Sequence, residues 1–277
     1  MLHTLSLPLA EIILVGALSG LIGVLAILDR RVFFTESMTH GTFPGAVLGV
    51  VVGSTYLGLD HQGLSLLLMV GAFVACLPLS WLMHQLAKVP GVSPQSAAGI
   101  ILTLGFALGY FLSRWFKPLP LRIENFLAGS LLNSNATDVA AAAVVFLLAL
   151  AAVALRGRHL IFHCFDPVGY RAAGHSPGWA EAIILALVCC GSVAVIPAVG
   201  TILSIAMLVA PAAGVLPWCR STRTLFIAAP LAGVLIGVGG LAVAVWGNLS
   251  AGGTIAIAAG LFYVLSLGLA ALRRVRA

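Results

Sequence analysis

Apolar runs dominate this chain, and the polar positions between them are few enough to be read one by one. A helix that crosses a bilayer needs about 20 mostly apolar residues. Nine segments approach that length: 9–28, 38–58, 63–83, 95–113, 137–155, 181–197, 199–216, 224–246 and 253–271. The strict alternation of a membrane barrel is absent, and an open sheet edge cannot exist in lipid. Each run therefore predicts a helix. The sixth and seventh are separated only by Pro197 to Gly200 and read as a tight hairpin or one broken span. The pattern predicts an all-α fold, a polytopic membrane helical bundle of about nine transmembrane helices, forming one transmembrane domain over residues 1–277.

The basic residues orient this bundle. With the loop after the first run taken as cytoplasmic, that side holds 11 of them: Arg30, Arg31, Lys88, Arg156, Arg158, Arg171, Arg220, Arg223, Arg273, Arg274 and Arg276. The other side holds 3: Arg114, Lys117 and Arg122. Cytoplasmic loops carry the excess of Lys and Arg, so the N-terminus is expected outside and the C-terminus cytoplasmic. The first run lacks the basic start of a cleaved signal and reads as a retained span.

Composition agrees with the pattern. Of 277 residues, 61% are hydrophobic and 8% charged, against about a quarter charged in soluble domains. Too few polar residues remain to cover a soluble globule. The net charge of +6 belongs to loops in such a chain and does not point to nucleic acid. The five cysteines form no CxxC pair and predict neither a disulfide framework nor a cysteine metal site. Cys76, Cys189 and Cys190 fall in apolar runs and read as small hydrophobes, with Cys164 and Cys219 in loops.

Glycine is patterned as well as abundant. Gly41, Gly45, Gly49 and Gly53 recur every four residues, and Gly16/Gly20, Gly105/Gly109 and Gly233/Gly237 repeat the spacing. Small residues four apart let helix backbones approach closely in lipid, so these positions are expected to pack helices.

The stretch TESMTHGTFPGAVLGVVVG, residues 35–53, places an acid and an imidazole at the start of such a run. Glu36 and His40, four apart, share one helix face. At about 100° per residue, the glycines Gly41 to Gly53 lie roughly 100° to 220° from His40, away from both. With Arg30 and Arg31 at the interface, a rise of about 1.5 Å per residue puts His40 roughly 15 Å inside. Pro44 has no N–H for the His40 carbonyl, which frees that oxygen for a kink or a ligand. Ionisable residues inside a membrane usually mark a substrate, ion or proton route; the alternative is an interfacial acid and a hydrogen-bonded histidine. Oxygen plus imidazole nitrogen suits Mn, Fe or Zn and argues against Cu(I).

The polar insert RGRHLIFHCFDPVGYRAAGHSPGW, within residues 156–180, carries another local signal. Asp166 before Pro167 reads as a helix cap and first position, and Gly174 as its end, for a short helix outside the membrane. His159, His163 and His175 in the same insert read as solvated. Glu181 and Asp138 read as acids at helix starts, where the dipole favours them. Asp60 and His61 read as a turn or as a contact for a delivery protein. The chain contains no P-loop GxxxxGK[ST], HExxH or GxSxG, so it holds no visible means of hydrolysing ATP, peptides or esters.

DRRVFFTESMTHGTFPGAVLG resembles the second conserved segment of ATP-binding-cassette permeases that import zinc, manganese or iron. GIILTLGFALGYFLS, ENFLAGSLLNSNATD, FDPVGYRAAG and VGTILSIAMLVAPAA resemble further family segments in order, covering roughly residues 10 to 272. The resemblance implies a metal path through Glu36 and His40, where the family's usual acid is Asp. Pro44 matches the manganese- and iron-type relatives. It also implies an ATPase-coupling helix that includes Asp166, Pro167, Tyr170 and Gly174. The implied partners are a second copy of the chain, a cytoplasmic ATP-binding subunit, an extracellular metal-binding protein and the lipid bilayer of a bacterial plasma membrane. No permanently bound cofactor is implied; the divalent metal is cargo, and the chain is not itself an enzyme. An ion-coupled secondary transporter and an intramembrane metalloenzyme are the rival readings.

Overall fold

The computed structural model describes residues 2–120, 127 and 129–276. Arg122 of the basic-residue count and part of the segment ENFLAGSLLNSNATD lie outside them. Eleven helices are described: α1 (Leu2–Leu28), α2 (Val32–Gly41), α3 (Phe43–Thr55), α4 (His61–Leu86), α5 (Pro94–Trp115), α6 (Ala136–Phe165), α7 (Pro167–Ala172), α8 (Pro177–Val199), α9 (Thr201–Val215), α10 (Thr222–Gly247) and α11 (Ala251–Arg276). Short 3-10 turns occupy Leu131–Asn133 and Leu216–Trp218. No strand occurs among the described residues.

Local sequence sets most helix starts. The Asp60 carboxylate accepts from the Gly63 N–H at 3.0 Å and begins α4, and Ser93 does the same for α5 through the Ser96 N–H. Asn135 with Asp138, and Ser221 with Thr224, form reciprocal capping boxes on α6 and α10. These side chains satisfy N–H groups that a helix start leaves unpaired.

Among the described residues, seven helices are long and apolar enough to cross a membrane: α1, α4, α5, α6, α8, α10 and α11. The expected second span is divided at Thr42 into α2 and α3, and the expected seventh, α9, has 15 residues. The division follows from Pro44, which cannot continue the hydrogen-bond ladder. The chain leaves α8 at Gly200, whose φ of +88° and ψ of 161° suit glycine alone. From there α9 packs on α1, α10 and α11.

The outer faces of α4, α6, α10 and α11 are lined with exposed Leu, Ile, Val and Phe. In water this would be an extreme apolar patch; against lipid tails it is the expected surface. Lipid offers no hydrophobic drive for one helix to prefer another, so close packing must hold the bundle together. Glycine supplies it. A Cβ on Gly16 would lie 2.7 Å from the Gly233 carbonyl oxygen, where α1 crosses α10, and a Cβ on Gly45 2.3 Å from the Gly71 carbonyl oxygen, where α3 crosses α4.

Candidate functional site

α2 owes its position to the turn before it. Arg30 adopts φ +56°. Arg31 N–H donates to the Ala26 carbonyl at 2.8 Å and Arg30 N–H to that of Ile27 at 3.1 Å, closing α1 in a Schellman turn. Arg31 then holds the junction by its side chain. It pairs with Asp29 (Nε–Oδ2 2.7 Å) and with Glu181 of α8. Burial pushes the Asp29 carboxyl above its usual range, against the opposing pull of Arg31. Glu181 is therefore more than a helix-start acid: it ties α8 to the entrance of α2.

The polar spelling of α2 is absorbed internally. Thr35, Thr39 and Thr42 donate to carbonyls three or four residues back (Arg31, Glu36 and Thr39), and Ser37 donates to the Ala98 carbonyl of α5 at 2.7 Å. Such back-bonding lets hydroxyls sit in a buried helix. From Phe34 to Thr42 every residue is buried except two, Glu36 and His40. The carboxylate and the imidazole thus form the open face of this otherwise enclosed stretch of α2.

Two neighbours fix the His40 ring. Its ring lies 5.9 Å from that of Phe106 on α5, and its Nδ1 lies 3.3 Å from Thr39 Oγ1. The Thr39 hydroxyl directs its proton to the Glu36 carbonyl at 2.8 Å. With the ring proton on Nδ1, His40 would donate to the hydroxyl oxygen and leave the Nε2 lone pair open. The Thr42 N–H donates to the Met38 carbonyl at 3.0 Å, and the chain breaks between α2 and α3 where Pro44 withholds its N–H from the His40 carbonyl. Among the described residues no three His, Cys, Asp or Glu side chains gather at one point. One chain brings two polar side chains, Glu36 and His40, to this face.

The glycines lie away from that face. Gly45 and Gly49 meet the backbone of α4 at Gly71 and Leu67, and Gly53 meets the side chains of Leu64 and Leu67. Gly41 sits beside Leu79 and Ile101, with Gly105 of α5 close against it. The break at Thr42 divides this ridge between two helices.

At the other candidate region, α6 runs on to Phe165, so residues 156–165 are helix and not loop, and Cys164 lies in it. Amphipathic spacing carries the helix past the end of its apolar run. α7 follows as expected: the Asp166 side chain accepts from Gly169 N–H at 2.8 Å, Pro167 opens the helix, and Gly174 has φ +80°. Gly174 N–H donates to Arg171 and His175 N–H to Tyr170, a Schellman end. Tyr170 is buried, its ring 4.8 Å from His175, 5.4 Å from Phe162 and 5.6 Å from His163. It anchors α7 to α6 instead of facing outward. His163 is buried too, so it is not a solvated histidine. Phe165 and Val168 are exposed beside it.

One charged residue had no sequence-based role. Glu11 on α1 is 1% exposed and near Asp138, which accepts a hydrogen bond from Ser65 of α4 at 3.2 Å. An acid inside the first apolar run was the available signal.

Known proteins share this architecture. The chain is 25% identical over 258 residues to the manganese transport system membrane protein MntC of Halalkalibacterium halodurans, covering 93% of this chain and 84% of that one. It is 28% identical over 246 residues to the zinc transport system membrane protein TroC of Treponema pallidum, covering 86% and 79%. The solved structure of PsaBC from Streptococcus pneumoniae in complex with Fab superposes with a TM-score of 0.84 at 26% identity, over 95% of this chain and 91% of that one. The family described as the ABC 3 transport family matches residues 1–270, and the chain belongs to it.

Proposed function

We propose that this chain is the permease subunit of an ATP-driven importer of a divalent transition metal, with manganese favoured and zinc or iron as alternatives. The observation that carries the reading is the open face of α2, where Glu36 and His40 alone interrupt the buried stretch from Phe34 to Thr42. The carboxylate offsets the charge of the cation and His40 Nε2 supplies a nitrogen donor. Two ligands from one chain hold a cation too weakly for storage. A second copy related by a two-fold axis brings another Glu36/His40 pair, and four donors plus water satisfy an octahedral Mn or Fe ion or a tetrahedral Zn ion. Release then requires only that the two copies separate.

ATP hydrolysis belongs to a separate cytoplasmic subunit. Its docking surface is α7, where exposed Phe165 and Val168 stand beside the capped helix. An extracellular metal-binding protein delivers the ion to the opposite face. Membership of an ABC family favours this over ion-coupled secondary transport. Alternating access follows when closure of the ATPase pair moves α7.

The test is the ATPase activity of the reconstituted complex with Mn, Zn and Fe compared side by side, together with uptake of each labelled metal. Stimulation by one of them, lost in His40→Ala, is the expected result. Metal uptake by the chain reconstituted without any ATPase would overturn the reading.

A further inference from the structure

Where α6, α7 and α8 join, they leave a cavity of about 360 Å³. Its polar lining comes from Arg156 and His159 of α6, Tyr170 of α7, His175 and Ser176 of the turn that follows, and Trp179 in the first turn of α8. The His159 and His175 rings meet edge to face at 5.0 Å, and the Tyr170 ring lies 6.3 Å from the first and 4.8 Å from the second. Tyr170 is only 5% exposed, and its hydroxyl has no hydrogen-bond partner among the described residues.

Each of these six side chains can donate a hydrogen bond. Among the described residues no carboxylate lines the cavity or pairs with Arg156. The nearest acids in sequence are engaged elsewhere: Asp166 accepts from the Gly169 N–H, and Glu181 pairs with Arg31. Two imidazoles alone do not make a metal site. No third His, Cys, Asp or Glu joins them among the described residues, and the guanidinium in the same lining repels a cation. The cavity suits an anion with several acceptor oxygens, which is the chemistry of a phosphate.

Its position points to the carrier of that phosphate. Leu148 and Leu155, seven residues apart on one face of α6, are exposed, and Arg156 follows directly. Trp179 is exposed as well. Apolar surface giving way to Trp and Arg marks the depth where lipid tails meet headgroups. The exposed Val168 of the ATPase-docking face points about 200° from Tyr170 around α7, so the cavity opens on another side of that helix.

We propose that this cavity holds the phosphate of an anionic phospholipid, with Arg156 as its charged anchor and the two histidines, Tyr170, Ser176 and Trp179 as further donors. Basic pockets between spanning helices take such headgroups. A bound lipid ties α7 to α6 and α8. That the leaflet is cytoplasmic, and that the tie steadies an ATPase-docking helix, rest on the proposed function; the lipid site itself does not.

The full chain, stripped of lipid in neutral detergent, is titrated with phosphatidylglycerol, phosphatidylcholine or inorganic phosphate. Bound lipid is counted by native mass spectrometry, and Tm is followed in parallel. One phosphatidylglycerol per chain is expected to bind more tightly than phosphatidylcholine and to raise Tm, as any ligand selective for the folded state does. Arg156→Gln, at an exposed position, should weaken that binding about tenfold, the loss of one charge-assisted hydrogen bond. His159→Phe and His175→Phe keep the rings, remove the N–H donors and should weaken it to a smaller degree. Arg158→Gln removes the same charge outside the cavity lining and should leave the affinity unchanged. Glu36→Gln and His40→Ala should leave it unchanged too, which separates failure of this site from failure of the transport reading. Equal affinity for the two lipids, wild-type affinity in Arg156→Gln, or equal losses in Arg156→Gln and Arg158→Gln overturns the proposal. So does a Tm rise of the same size with inorganic phosphate, which would mark a site for free anion. Loss of the ATPase subunit from Arg156→Gln with lipid binding intact would assign the cavity to a protein contact and overturn it as well.

Discussion

Glu36 and His40 differ from their neighbours on α2 in being open rather than in being polar. Five of the residues from Thr35 to Thr42 are hydroxyl- or sulfur-bearing and buried, while these two are partly exposed. If they carry the metal, the charge and the lone pair are separately required. His40→Ala should abolish uptake with assembly intact. Glu36→Gln, which keeps the shape and removes the charge, should fail too. Glu36→Asp should retain uptake and shift the preference among Mn, Zn and Fe, because the carboxylate retreats by one methylene. Labelled-metal uptake normalised to assembled protein checks all three, and normal uptake by the first two would make the pair structural. This pair was legible in the sequence because the helix places residues four apart on one face without help from the fold. The Arg31–Glu181 tie was not, since it joins side chains that only the tertiary arrangement brings together. Glu11 was visible as an acid but not as a buried one.

At the scale of single helices, the starts and stops were written locally. Asp166, Pro167 and Gly174 delimit α7 as capping chemistry requires. Asp166→Ala removes a cap of about 0.5–2 kcal/mol, and Gly174→Pro forces φ to about −65° where the chain has +80°. The proline should uncouple ATP hydrolysis from uptake more severely than the alanine, as ATPase and uptake rates measured together will read; wild-type coupling in both would remove α7 from the mechanism. The glycine crossings allow a complementary prediction. Gly45→Leu or Gly49→Leu drives a side chain into the α4 backbone, and overpacking of this kind costs about 1–3 kcal/mol and more where backbone cannot yield. Both should lower the yield of folded protein on size-exclusion chromatography. Unaltered yield would show that α3 and α4 can part without harm. The length of α6 was illegible because Arg156, Arg158 and His159 end the apolar run without ending the helix. Apolarity reports where lipid stops, and helices are free to continue into water.

For the whole molecule, the apolar runs and the helices agree in position, and the departures fall where backbone chemistry intervenes, at Thr42 before Pro44 and at Gly200. Orientation rests on the basic residues. Single cysteines introduced at residues 60 and 165 of a cysteine-free chain should label from opposite sides of the membrane, with residue 165 reached from the cytoplasm. Labelling from one side would invalidate the topology.

α6 extends unbroken from Asn135, which caps it, to Phe165, beside α7. At about 1.5 Å per residue its 30 residues make a rod of about 45 Å, longer than the roughly 30 Å hydrocarbon core. Its near end carries α7 through Tyr170; its far end is pinned by the Asp138–Ser65 hydrogen bond to α4 and lies close to the buried Glu11. If α7 receives the push of an ATPase, the continuous rod would carry it to Asp138 and its hydrogen bond with Ser65 of α4, so the joint to watch for motion is the one farthest from where the force is applied.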